Sequence, residues 1–373
     1  LTGSLDTTAI LWNLQGEQVQ VLEDHIASVN SVAFSLDGQS ILTGSLDERA
    51  ILWDLQGGQV QAFHSHTAEV SSVAFSPDGQ SILIGSWDER AILSNLQGEH
   101  LQVFEGHTAA VSSVAFSSDG QSILTGSLDE KAILWDLQGG QLQVFEGHIT
   151  GVNSVAFSPD GQLVLTSSSD GSAILWNLQG EQIQVFKDHL FAVTSVSFSP
   201  DGKTILTGSW DKTAILWNLQ GEQLQVFKGH LSAVRSVAFS PDGKMILTGS
   251  RDKTAIMWDI QGKQIQIFEG HLFAVRSAIF SPRGQFIMTG AEDNTAILWN
   301  LQGEQLQVFE GHSSYVLSVS FSPDGHSVLT GSRDKTSRIW RNFHGEWAAG
   351  SIWDRLYKLN EEERKAYKID WAY

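Results

Sequence analysis

The sequence predicts an all-β fold built from repeated four-stranded units, and two observations lead to this prediction. The segment Leu-Thr-Gly-Ser that starts at Leu1 recurs, with small changes, every 41 residues up to Leu329. Each period also divides into four short apolar runs that are separated by turn residues. Four strands at a period of about 40–45 residues are typical of one blade of a β-propeller.

The unit that follows His230 illustrates the division into strands. Its four runs are, in order, Val234–Phe239, Met245–Ser250, Ala255–Ile260 and Gln264–Phe268. Pro241-Asp242-Gly243, between the first two runs, is a strong turn signal because each of its residues favours a turn conformation. The fourth run alternates Gln with Ile or Phe, as a strand with one wet face does. No run has the length and phase of an amphipathic helix.

Composition narrows the function classes. The chain has 373 residues, no cysteine and a formal charge of −19. The absence of cysteine excludes a disulfide framework, a thiol nucleophile and a zinc site made of thiolates. No apolar stretch approaches the ~20 residues that span a bilayer, and strong acidity disfavours binding to nucleic acid. We therefore expect a cytoplasmic chain with no metal, no cofactor, no membrane contact and no nucleic-acid partner.

Three recurring dipeptides and turns carry a family resemblance. Gly229-His230, the turn from Ser250 to Asp252 and the ending Trp217-Asn218 are examples that recur from unit to unit. Over residues 1–341 the chain therefore resembles the WD-repeat family. The resemblance implies a ring of four-stranded blades that acts as a non-catalytic platform for a protein or peptide partner.

A Ser, a His and an Asp that recur together also suggest a hydrolase. They recur in unit after unit, however, and the Gly-x-Ser-x-Gly of a nucleophile elbow does not occur. The resemblance implies instead a structural network, in which Asp252 bonds His230, His230 bonds Ser250, and Ser250 reaches the indole of Trp258. We predict no catalytic residue; a hydrolase site at the channel mouth and a purely architectural array are the alternatives. Ser94, in a Trp position, and Ala291, in a Ser position, predict two incomplete networks.

The number of blades depends on how the chain ends meet. The chain begins within a second strand, and the unit after His312 supplies three strands. If Glu17–Leu22 completes the last blade, the ring has eight blades and residues 1–14 form a surplus hairpin. Nine blades would require Glu346–Trp353 as a fourth strand. We predict eight blades, with nine as the alternative.

The repeat pattern ends near residue 341. Residues 342–373 predict a short helical tail, since Asn360 and the glutamates after it resemble a capping box and Tyr367 and Trp371 are four residues apart. Near-identical repeats that end in such a segment also resemble, in architecture, the C-terminal sensor regions of bacterial multidomain signalling NTPases. Because the chain opens without Met or a signal segment, we expect it to be a module of a larger protein.

The differences between copies predict the binding surface. The residue before the turn Asp, the residue after the first Val of a unit and the loop after the His vary most, and in the WD-repeat family these positions lie on the face that binds partners. The candidate partner-binding residues are Trp87, Phe191, Trp210, Arg235, Arg251, Phe273, Arg276, Tyr315 and Arg333. Residues 1–190 hold 4 basic and 23 acidic side chains, whereas residues 191–373 hold 19 of each. We therefore expect a partner segment with acidic and apolar groups.

Overall fold

The computed structural model describes residues 2–3, 9–12, 18–20, 25–35, 40–54, 59–63, 66–310, 312, 314–321, 327–332 and 337–341. Within these ranges all regular secondary structure is β-strand, and no helix has the length and apolarity that crossing a bilayer requires. The predicted helical tail, residues 342–373, lies outside the described residues. The boundary at residue 341 therefore stays a prediction.

Thirty-four strands follow one another along the described chain. The N-terminal strands are β1 (Thr2–Gly3), β2 (Ala9–Trp12) and β3 (Gln18–Gln20). Blade 1 consists of β4 (Val29–Phe34), β5 (Ser40–Ser45), β6 (Ala50–Asp54) and β7 (Gln59–Phe63). Blade 2 consists of β8 (Val70–Phe75), β9 (Ser81–Ser86), β10 (Arg90–Asn95) and β11 (His100–Glu105). Blade 3 consists of β12 (Val111–Phe116), β13 (Ser122–Ser127), β14 (Lys131–Asp136) and β15 (Gln141–Glu146).

The next blades repeat this arrangement. Blade 4 consists of β16 (Val152–Phe157), β17 (Leu163–Ser168), β18 (Ala173–Asn177) and β19 (Gln182–Phe186). Blade 5 consists of β20 (Val193–Phe198), β21 (Thr204–Ser209), β22 (Thr213–Asn218) and β23 (Gln223–Lys228). Blade 6 consists of β24 (Val234–Phe239), β25 (Met245–Ser250), β26 (Thr254–Asp259) and β27 (Gln264–Glu269). Blade 7 consists of β28 (Val275–Phe280), β29 (Phe286–Ala291), β30 (Ala296–Asn300) and β31 (Gln305–Phe309).

Each blade is a four-stranded antiparallel sheet in sequence order. The first strand contacts the first strands of the neighbouring blades and so surrounds the channel, while the fourth strand is the exposed outer edge. Glycines in the second strands allow the blades to pack closely. A Cβ on Gly208 would lie 2.5 Å from Val237 Cγ1 and 2.9 Å from Val234 Cγ1 of the next blade. The buried core therefore lies between adjacent blades.

The remaining strands form one six-stranded sheet, the closing sheet. Its C-terminal strands are β32 (Val316–Phe321), β33 (Ser327–Ser332) and β34 (Ser337–Arg341). β32 contacts both β28 of blade 7 and β4 of blade 1, so this sheet lies between the first and last blades. β2 pairs in parallel with β34, and β1 and β3 pair with β2.

The prediction of eight blades, with nine as the alternative, is wrong. The described residues form seven four-stranded antiparallel blades, and the closing sheet differs from them in strand number and direction. Of the predicted segment Glu17–Leu22, the structure describes β3, which pairs with β2 and so does not complete the last blade. The strands of the incomplete first unit are joined by short loops, and pairing with each other closes those loops at little entropic cost. The three N-terminal strands therefore pair with one another, and β2 pairs with β34.

Candidate functional site

A hydrogen-bonded network joins the buried side chains of blade 6. His230 Nδ1 lies 2.8 Å from Asp252 Oδ2, and His230 Nε2 lies 2.7 Å from Thr248 Oγ1. Trp258 Nε1–H donates to the same Thr248 oxygen at 2.9 Å. His230, Thr248 and Trp258 are all buried. The network satisfies polar groups that would each cost about 1–3 kcal/mol if they were buried unpaired.

The hydroxyl in this network is that of Thr248, so the role expected of Ser250 is wrong. Ser250 Oγ donates to the Ser232 carbonyl at 3.0 Å and accepts the Asp252 N–H at 3.1 Å, which braces the turn. Trp258 lies opposite Ile246 in the β25–β26 pairing. Thr248 is two residues along the strand from that point, whereas Ser250 is four residues, or about 13 Å, away. The indole reaches only the nearer hydroxyl.

The Thr-centred network recurs in blades 1, 3, 4, 5 and 7. In blade 7, Thr289 Oγ1 lies 2.7 Å from His271 Nε2 and 2.8 Å from Trp299 Nε1. The incomplete network predicted from Ala291 is therefore wrong, since that position is outside the network. In blade 2 the prediction is confirmed: Ser94 Oγ and His66 Nε2 are buried and have no hydrogen-bond partner among the described residues.

The Asp of each network carries a lowered pKa. Burial raises the pKa of Asp252, but the hydrogen bond and charge of His230, the Thr254 hydroxyl and the Leu231 N–H outweigh burial and lower it below its usual range. Asp88 of blade 2 follows the same rule through His66, the Thr67 N–H and Arg90. Both carboxylates are therefore acceptors that hold the imidazole in one orientation. Repeated in blade after blade, this geometry has the features of a framework element.

Charged side chains that differ from one blade to the next lie at one mouth of the channel. A bulge separates Val234 from Ser236 in the β24–β25 ladder, so Arg235 has no partner in that ladder. Arg276 occupies the same bulge in blade 7. A bulged residue turns its side chain away from the regular sheet faces. Both guanidinium groups line a cavity of about 330 Å3, which we call the arginine pocket. Its lining residues are Asn153, Ser169, Ala192, Thr194, Trp210, Arg235, Arg276 and Leu317.

Arg235 is the less neutralised of the two arginines in the arginine pocket. Its Cζ lies 5.0 Å from the centroid of the Trp210 ring, a cation–π distance. Its Nε is buried and has no acceptor among the described residues. Burial, together with the charges of Arg276 and Arg251, lowers the pKa of Arg235. The nearby Arg276 Nε forms an ion pair of 2.6 Å with Glu292. Glu292 therefore neutralises only one of the two arginines, and the pocket keeps an excess of positive charge.

The equivalent bulge positions in blades 1–5 are used differently. Their short polar side chains donate to the carbonyl of the first Val in the next blade. These donors are Asn30, Ser71, Ser112, Asn153 and Thr194, at 2.5–3.0 Å. They are therefore cross-links between blades and not merely surface positions. Asn153 and Thr194 also line the arginine pocket, but among the described bulge residues that line it only Arg235 and Arg276 bring a charge.

An apolar rim borders the same face, and sequence reasoning missed it. The residue directly after the network His is a large, exposed aliphatic side chain in blade 1, as Ile26, and in blades 4–7. The rim consists of Ile149, Leu190, Leu231 and Leu272, which are 70–83% exposed. The signal was present in the sequence, because blades 2 and 3 have Thr at this position. A contiguous exposed apolar patch on a protein surface commonly marks an interaction site.

The other candidate residues fall into three groups. Phe191 and Phe273 are exposed beside the apolar rim, and Lys253 Nζ lies 6.0 Å from the Phe273 ring centroid. Arg251 is exposed and close enough to influence Arg235, while Tyr315 is half-buried. Trp87 is exposed on blade 2 and does not line the arginine pocket, and Arg333 lies outside the described residues.

A larger cavity of about 580 Å3 lies at the opposite mouth of the channel. It is lined by Phe, Ser and Pro at the ends of the first strands, residues that every unit supplies in nearly the same form. Its serines are occupied by their own turns; Ser240, for example, donates to Asp242 at 2.7 Å and accepts the Met245 N–H at 2.9 Å. None of the described residues that line this cavity is charged, so the arginine pocket is the better functional site.

Comparison with known proteins agrees with the repeat pattern. A family model described as the IFT122 first beta-propeller matches residues 1–218, and the WD domain, G-beta repeat, matches residues 221–259, 262–300 and 303–341. No curated protein matches the chain. The crystal structure of the computationally designed Ika8 protein is similar, with a TM-score of 0.78 and 26% identity over 91% of this chain and 99% of that one. The chain belongs to the WD-repeat β-propeller family.

Proposed function

We propose that this propeller is a non-catalytic interaction module of a larger cytosolic protein, and that it binds an acidic segment of a protein partner at the arginine pocket. The match to WD repeats suggests that the chain is a protein-interaction scaffold. The observation that carries the finer proposal is Arg235, a half-buried side chain in a concave site whose Nε has no acceptor in the part of the chain that the structure describes. A carboxylate from a partner would supply that acceptor.

The size and borders of the site favour a peptide over a lone anion. Trp210 forms one wall of the pocket, and the apolar rim with Phe191 and Phe273 extends outward on the same side. Aromatic and Arg side chains dominate interface hot spots because each buries a large area and makes several contacts. The partner segment therefore carries an Asp or Glu flanked by apolar residues. The acidic residues 1–190 repel such a segment and so favour one orientation of it.

A double charge reversal tests this function. The probe is an acidic, Leu-containing peptide that is selected from a synthetic library on the wild-type protein. The double variant Arg251→Glu, Arg276→Glu should bind this peptide at least tenfold more weakly, a loss of about 1.4 kcal/mol. Lys203→Glu with Lys244→Glu is the matched control: it makes the same charge change in neighbouring blades, at the opposite mouth of the channel, and both lysines are about 80% exposed. Binding is measured by fluorescence anisotropy.

Two results would contradict the proposal. Equal weakening by both double variants would mean that net charge, and not the arginine pocket, drives binding. Selection of peptides without acidic residues would remove the role of Arg235. The alternative of an enzyme predicts instead that one Ser or His among the repeats is essential to a turnover while its copies are not. The alternative of a purely architectural array predicts that no peptide binds.

A further inference from the structure

The arginine pocket carries more positive charge than one carboxylate can balance. Arg235 and Arg276 line it from the first strands of neighbouring blades, which contact each other. The charge of Arg251 also reaches Arg235. Among the described residues, the carboxylate that acts on Arg235 is Glu292, which pairs with Arg276 at 2.6 Å. Three cations against one carboxylate leave two positive charges for a ligand to neutralise.

The neutral donors of the pocket are already engaged. Asn153 Nδ2 donates to the Val193 carbonyl at 2.9 Å and to Ser169 Oγ at 3.1 Å. Thr194 Oγ1 donates to the Val234 carbonyl at 2.8 Å. The bonds to the two carbonyls join neighbouring blades, so diverting them to a ligand would weaken the framework. An incoming anion is therefore bound by the guanidinium groups.

Arg235 is held in a position to bind such an anion. Its Cζ lies 5.0 Å from the centroid of the Trp210 ring, a contact that restrains the guanidinium. Its Nε is buried and has no acceptor in the part of the chain that the structure describes. The donors of a guanidinium form a rigid fork that matches pairs of oxygen atoms in carboxylates and phosphates. Two such forks in one pocket can use more oxygen atoms than the two of a carboxylate.

A phosphate monoester fits this site better than a carboxylate. It carries a charge of about −1.5 to −2 at pH 7 and offers three acceptor oxygens, so it matches the excess charge and can accept from both guanidinium groups. We propose that the arginine pocket binds a phosphorylated residue of the partner segment in preference to an unmodified Asp or Glu. Because it specifies which anionic group enters the pocket, this preference rests on the proposed function. The exposed apolar rim contacts the residues beside the phosphate, so the ligand is a phosphopeptide and not free phosphate.

Three versions of one peptide test the preference. The acidic peptide selected on the wild-type protein is synthesised with phosphoserine, Glu or Ser in place of the acidic residue whose loss weakens binding most. The measurement is fluorescence anisotropy at about pH 7.5, where the phosphate is mostly dianionic. The phosphoserine peptide should bind about tenfold more tightly than the Glu peptide, and the Ser peptide should bind most weakly. This comparison uses the wild-type chain and does not require a variant to fold.

Two variants and a competitor locate the phosphate. Arg276→Gln removes one of the cations, so the preference for phosphoserine over Glu should fall to about threefold or less. Lys203→Gln makes the same charge change at the opposite mouth, where the side chain is 80% exposed, and should leave the preference unchanged. Inorganic phosphate lacks contacts to the apolar rim. It should displace the labelled phosphopeptide only at a concentration about a hundredfold above that of unlabelled phosphopeptide.

The outcomes separate this preference from the proposed function. Equal binding of the phosphoserine and Glu peptides would overturn the preference and leave the proposed function intact. A preference that persists in Arg276→Gln, or that is lost equally in Lys203→Gln, would place the phosphate elsewhere and overturn the assignment. Displacement by inorganic phosphate at the concentration of the peptide would indicate a site for a free anion and equally overturn it. Equal binding of all three peptides would overturn the proposed function as well.

Discussion

Blade 6 and blade 2 have the same strands, the same pairing and the same turns, but different polar cores. In blade 6, Thr248 links His230 to Trp258, whereas blade 2 has Ile84 and Ser94 in the positions of Thr248 and Trp258. Both blades retain the His–Asp pair, at 2.8 Å in blade 6 and 2.9 Å in blade 2. The difference teaches that strand pairing and packing between blades define the fold, while the Thr–Trp part of the network adds stability to a blade that is already specified.

The largest expected effect comes from making blade 6 resemble blade 2. Trp258→Ala removes an indole that is 2% exposed and should lower the free energy of unfolding by about 3–5 kcal/mol. Trp87→Ala, at a position that is 52% exposed, should cost less than about 0.5 kcal/mol. Urea denaturation measures both. Equal denaturation midpoints would contradict the distinction between framework and surface tryptophans.

A smaller effect tests which hydroxyl completes the network. Thr248→Val keeps the shape of the side chain but leaves His230 Nε2 and Trp258 Nε1 without their shared partner, which should cost about 2–3 kcal/mol. Ser250→Ala removes only the bonds that brace the turn and should cost about 1 kcal/mol. Chemical denaturation of the two variants in parallel gives the comparison. A larger loss for Ser250→Ala would reverse the assignment of Thr248.

The smallest effect concerns what the two blades share. The pKa of Asp252 and the pKa of Asp88 are both lower in the folded chain than the ordinary value of 3.8. A carboxyl with a lowered pKa stabilises the fold above its unfolded pKa, and this contribution is lost as the pH falls through the folded value. Below about pH 4, each pair therefore lowers the free energy of unfolding by at most about 1.4 kcal/mol for each unit by which the pH falls.

We call the fall of the free energy of unfolding below about pH 4 the acid limb. Asp252→Asn and Asp88→Asn should each make the acid limb less steep, and by similar amounts, since the His–Asp pair is present in both blades. Denaturation midpoints measured between pH 5 and the acid transition give the slopes. Glu130→Gln is the control, because Glu130 is exposed and takes no part in a His–Asp pair. A flattened limb in blade 6 alone would show that the His–Asp pair depends on the Thr–Trp part of the network.

Sequence reasoning located the strands well because their signals are local. Val234–Phe239 and Met245–Ser250 have the predicted limits, and the third strand of that unit, Thr254–Asp259, begins one residue early. The family resemblance placed the network on Ser250 because it carried no information on register. The correct hydroxyl follows from the pairing of Ile246 with Trp258, which the sequence does not display.

The candidate binding residues were only partly predictable. Arg235, Arg276 and Trp210 were found because they interrupt a near-identical repeat, and all three line one cavity. Trp87 interrupts the repeat in the same manner but lies on blade 2, away from that cavity. The cross-links made by Ser71 and Ser112 were also invisible to sequence reasoning, since the acceptor carbonyls belong to the next blade, 40 residues further along the chain.

The sequence by itself determined the period, the strands, the turns and the family, because each of these depends on residues within one repeat. Only the tertiary structure decided how the ring closes and where charge accumulates. The closing sheet joins Trp12 to Trp340, and the arginine pocket joins Arg235 to residues of neighbouring blades. Residues so far apart along the chain meet only after the blades have packed side by side. The bulge at Arg235 then places its guanidinium in the space between them, where Nε has no acceptor among the described residues.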